Sequence, residues 1–66
     1  MTQKELLYVE DAIGHEKSII EIIQESIINM DDDNLIKNLE KDLKEHTKLK
    51  DSLLNLLECL NHILYQ

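Results

Sequence analysis

Proline is missing from this chain, and so are arginine, tryptophan and phenylalanine; glycine and cysteine occur once each. Without proline, and with Gly14 as the one weak breaker, nothing obliges a helix to stop before an acidic run near the midpoint, Asp31-Asp32-Asp33-Asn34. A single glycine excludes a Gly-rich phosphate loop. A single cysteine, Cys59, excludes an internal disulfide and a paired-cysteine zinc site, and fits a reducing compartment. It reads as a small apolar residue on or near the core. The lack of arginine, the lack of a basic cluster and a net charge of −7 exclude binding driven by phosphate neutralisation, hence nucleic acid. No apolar run reaches membrane-spanning length, and Met1-Thr2-Gln3-Lys4-Glu5 lacks the basic-then-apolar pattern of a signal peptide. A cytoplasmic origin is the expectation.

What remains is leucine and isoleucine at helical spacing. Thr2 is placed to cap a first helix, with Glu5 as its reciprocal partner. Leu6, Val9, Ile13, Ile20, Ile23, Ile27 and Met30 then follow at intervals that fit a heptad-like stripe, widened by Leu7, Ile19, Ile22 and Ile28. The acidic run breaks the pattern because Asp and Asn side chains bond nearby backbone amides and so favour turns and caps. A second helix continues through Leu35, Ile36, Leu39, Leu43, Leu49, Leu53, Leu56, Leu57, Leu60, Ile63 and Leu64. The chain therefore reads as a single all-α domain over residues 1–66: a helix over about 3–30, a turn at about 31–34 and a helix over about 34–64. A loop this short makes the two helices antiparallel neighbours. At 66 residues the domain is near the lower limit for a self-sufficient core, so the hairpin is expected to pair with a second copy as a homodimeric four-helix bundle. The core and dimer positions are Leu6, Val9, Ile13, Ile20, Ile23, Ile27, Leu39, Leu43, Leu53, Leu57 and Leu60. Gly14 inside the first stripe allows a close helix approach or has no packing role; the pattern leaves both open.

Two polar residues interrupt the stripes. The first passes from Ile13 through Glu16 to Ile20, and the second from Leu43 through His46 to Leu49 or Lys50. Folding at residues 31–32 sets facing residues at numbers that total about 62–64, so Glu16 and His46 share one level, with His15 close by. Asp42 lies one turn before His46, at i, i+4. If two hairpins pair about a twofold axis through this level, two Glu and two His converge in the bundle centre. Carboxylates and imidazoles directed inward are how bundles hold iron, manganese or zinc, with Glu16, His46, His15 and Asp42 as the candidate ligands. The same layer also serves as a hydrogen-bonded polar pair that fixes register and partner number. His62 reads as a surface histidine. Tyr8 and Tyr65 fall at the same open end, where they would close the core. No Ser or Cys sits beside a base and an orienting acid, and the chain has too few loops for a substrate pocket, so no enzyme activity is expected.

The opening Thr2-Gln3-Lys4-Glu5-Leu6-Leu7-Tyr8-Val9-Glu10-Asp11-Ala12, followed by Gly14-His15-Glu16-Lys17, resembles the small ferritin-like proteins of the coat F type of spore coat protein in Firmicutes. The resemblance extends to about residue 57. It implies a ferritin-like four-helix bundle and a place in or near the spore coat, beside other coat proteins. Relatives in that family tend to carry Glu-x-x-His in the second helix. The matching stretch here is His46-Thr47-Lys48-Leu49, so the resemblance implies a reduced or purely structural site. Three functions follow as expectations: a structural or assembly protein of spore-coat type without catalysis, a metal-binding bundle, or an acidic interaction module such as an inhibitor or antitoxin.

Overall fold

The computed structural model describes residues 2–64, with side chains to His62. It contains two helices and, among the described residues, no strand: α1 (Gln3–Ile28) and α2 (Asp33–Leu64). The helices lie side by side as a rod of 50 × 15 × 13 Å. The long axis matches the roughly 48 Å expected of a 32-residue helix, so the hairpin is unbent and one layer deep.

Capping fixes both helix starts. Thr2 is extended (φ −83°, ψ 161°), and its hydroxyl oxygen accepts the Glu5 N–H at 3.2 Å. In return the Thr2 N–H and hydroxyl donate to Glu5 Oε1 at 3.2 and 3.0 Å, completing the capping box. These bonds, the backbone one first, hold the Glu5 carboxyl below its ordinary value. At the other end α1 stops at Ile28, two residues short of the sequence expectation. Asn29 ends it: its backbone N–H and its side-chain amide both bond to the Glu25 carbonyl, at 3.2 and 2.9 Å. Asp32 then caps α2, its Oδ1 accepting the N–H groups of Asn34 (2.9 Å) and Leu35 (3.2 Å). With Asp32 as cap, α2 begins at Asp33, one residue earlier than the pattern implied. The turn uses no left-handed residue, so it is built by side-chain caps without the glycine that many helix ends require.

The inner stripes alternate threes and fours without a fault. On α1 they are Leu6, Val9, Ile13, Glu16, Ile20, Ile23 and Ile27, continued by Met30 just past its end; on α2, Ile36, Leu39, Leu43, His46, Lys50, Leu53, Leu57 and Leu60. All sixteen are buried or half-buried, and they include every expected core position. Among the described hydrophobics only Leu6, Ile13, Ile23 and Leu60 are buried, and no described side chain is wholly shielded. One helix can cover only one side of another, so a lone hairpin leaves each stripe partly wet.

Several residues expected to add to the apolar seam lie outside it. Leu7, Ile22 and Ile28 on α1, and Leu35, Leu49 and Leu56 on α2, are exposed. Cys59 is also exposed, one position away from the inner stripe, so of the two places expected for it, on or near the core, it takes the second. Tyr8 is exposed, with the Lys4 ammonium 6.0 Å from its ring centroid, and the expected packing on Tyr65 lies outside the described residues. α2 is six residues longer than α1 and runs past its start from about Asn61 onward.

Candidate functional site

The structure brings two of the four candidate ligands together. Glu16 occupies an inner position of α1 and is the one buried charged side chain among the described residues, at 9 % exposure. His46 faces it from α2, with its Nδ1 2.5 Å from Glu16 Oε2. A carboxylate can only accept, so the imidazole donates through Nδ1–H in either of its protonation states. This bond answers the problem a buried carboxylate poses, since a charge removed from water without a partner is costly. No buried side-chain nitrogen or oxygen lacks a hydrogen-bond partner among the described residues.

His46 is only part-buried; 34 % of its side chain is exposed, against 12 % for Glu16. Next along the α2 stripe comes Lys50, and Leu49 is exposed in its place. Lys50 keeps its stem along the seam and its ammonium near the rim, 3.8 Å from Asp51 Oδ1. The sequence left Leu49 or Lys50 open as the next stripe position, and strict alternation of threes and fours from Leu43 and His46 leads to Lys50.

The other two candidates stand apart. His15 and Asp42 are exposed. His15 borders a shallow depression on the outer side of α1, lined also by Glu10, Asp11, Gly14 and Ser18. A Cβ added at Gly14 would meet nothing within 4 Å, so within one chain this glycine serves no close helix approach. His62 is exposed near the end of the described residues. Among the described residues no three of the His, Cys, Asp and Glu side chains gather as a metal would need. A single chain therefore offers one carboxylate and one imidazole, already bonded to each other.

No described helix is long and apolar enough to cross a membrane. Compared with protein-family models, curated proteins and solved structures, the chain has no match.

Proposed function

We propose that this chain is a non-catalytic assembly module whose hairpin pairs with a second copy into a four-helix bundle of ferritin-like architecture, with Glu16 and His46 as the polar layer that sets its register. The buried Glu16–His46 bond carries this reading: it joins the two helices through the one buried charged side chain among the described residues. A polar pair in a largely apolar seam makes slipped registers unfavourable, because each slip buries one partner alone. The size of the exposed surface supports pairing. The chain exposes 5274 Å², whereas a compact monomer of 7.8 kDa would expose about 4,400 Å². Its radius of gyration, 15.2 Å, likewise exceeds the roughly 11 Å of a compact domain of this length. The likeness of residues 2–17 to coat F-type proteins supports a spore-coat setting among other coat proteins. Light scattering during size exclusion tests the reading. Twice the 7.8 kDa chain mass supports it; a well-folded monomer across micromolar dilution overturns it and favours the acidic interaction module.

A second reading is a metal-binding bundle. The bond at Nδ1 supports it, because metal-bound histidines commonly donate their other ring N–H to a carboxylate. Two copies would supply two such histidines. Elemental analysis, with melts before and after chelation, separates the readings: bound iron, manganese or zinc and a lowered melt favour metal, and neither favours the structural pair.

A further inference from the structure

The exposed apolar residues are not spread evenly round the rod. The depression lined by Gln24, Ile27 and Ile28 of α1 and Glu40 and Leu43 of α2 shows which flanks share a face. By helical rotation that face also carries Glu10, Lys17 and Glu21 from α1 and Lys37, Lys44 and Asp51 from α2, together with Leu7 and the half-buried Leu54. The opposite face carries Tyr8, Ala12, Ile19, Ile22 and Ser26 from α1 and Leu35, Leu49 and Leu56 from α2, with His15, Asp42 and Glu45 among them. Five of the seven large exposed hydrophobics are there; only Leu7 and Ile28 are not.

We infer that this second face, centred on Ile19, Ile22 and Leu49, is where a second copy docks, and that the two rods run antiparallel about a twofold axis level with Glu16 and His46. The inference rests on the pairing proposed above and specifies its surface. The area fits: the surface in excess of a compact monomer is about 900 Å², close to one partner's share of a standard interface. Orientation follows from what then meets. The Glu16–His46 contact sets residues whose numbers total about 62 at one level. Reversal about that level sets α1 against α1 and α2 against α2, which brings Leu56 of one copy opposite Leu35 of the other, Ile19 opposite the small Ala12, and Tyr8 close to Ile22. Asp42, exposed at the edge of this face, comes near Leu49 of the other copy, where its carboxylate still reaches water. In a parallel pair α2 would instead lie against α1, so that Asp42 would meet Ile19 and Leu35 would meet Ser26, and a carboxylate buried against apolar side chains is unfavourable.

Lysine substitution distinguishes the faces. Ile22→Lys and Leu49→Lys each weaken self-association at least 100-fold by sedimentation, whereas Leu7→Lys and Ile28→Lys leave it within about threefold. Added lysine lowers the net charge of −7, so dissociation would come from burial of the ammonium and not from greater repulsion between copies. The reverse ranking overturns the face while leaving the pairing intact; an unsubstituted chain that is monomeric throughout removes the pairing itself. Should the lysine variants lose their helicity, spin labels on the native, exposed Cys59 decide. The antiparallel pair separates them by about 40 Å along the rod, and a distance near the interhelical spacing of about 10 Å overturns it.

Discussion

Glu16 Oε2 accepts the Nδ1–H of His46 at 2.5 Å across the hairpin, thirty residues away in the chain. The contact is asymmetric: the acid is buried and the imidazole is one-third exposed. Removing either partner should therefore have unequal effects. His46→Ala leaves a buried carboxylate unanswered and should cost about 1–2 kcal/mol, less than a fully buried pair because water reaches the ring side. Glu16→Leu with His46→Leu should match or exceed the unsubstituted chain in stability while loosening its register. Urea melts at one fixed protein concentration check both, and a double variant less stable than His46→Ala would refute the polar-layer account.

Gly14 sits in mid-helix with open space where a Cβ would go. Gly14→Ala should stabilise α1 by up to about 1 kcal/mol, read as a higher thermal midpoint. A lower midpoint together with weaker self-association would show that a second copy packs close to this glycine.

The capping box predicts a pH dependence confined to the start of α1. The folded chain holds the Glu5 carboxyl lower than the unfolded chain does, through the Thr2 N–H and then the Thr2 hydroxyl. Its contribution is complete above the unfolded value and is lost as pH falls through the folded one. The advantage of the unsubstituted chain over Glu5→Gln should therefore be constant near neutrality and shrink below the ordinary glutamate range. Comparing the two by circular dichroism cancels the titration of the other thirteen acids; an advantage unchanged to low pH would contradict it.

Asp32 alone caps α2, holding two N–H groups with one oxygen. Asp32→Ala should cost about 1 kcal/mol, and Asp32→Asn or Asp32→Ser much less. Equal losses for Asp32→Ala and Asp31→Ala, measured in the same melts, would mean that the acidic run acts by charge and not by capping.

Much of this architecture was legible because the interval between apolar residues is itself the fold signal. Leu6 to Met30 and Ile36 to Leu60 each keep a step of three or four, and the Glu16–His46 level follows from the fold-back alone. The Thr2–Glu5 box was legible for the same local reason. What escaped was rotational. Leu49 and Lys50 are adjacent in sequence, and hydrophobicity argued for the former while the period required the latter; the period prevailed because a lysine stem packs as an alkyl chain and its ammonium still reaches water. Cys59, expected on or near the core, falls beside the seam for the same cause, since a small apolar residue is inexpensive to leave outside it. His15 and Asp42 lie near the right level, but level says nothing of direction, and both side chains are exposed. The ends of α1 and α2 depended on which of several adjacent Asn and Asp residues bonds which amide, a choice that composition does not make.

The rod is 13–15 Å in cross-section, little more than the width of one helix with its side chains in the thinnest direction. Every peptide group in an isolated hairpin is then at most one side chain from solvent, and transient opening should let its amide deuterium exchange quickly. Any stretch of α1 or α2 that resists deuterium for hours would be a footprint of whatever lies against it, drawn at single-residue detail without that neighbour being known in advance.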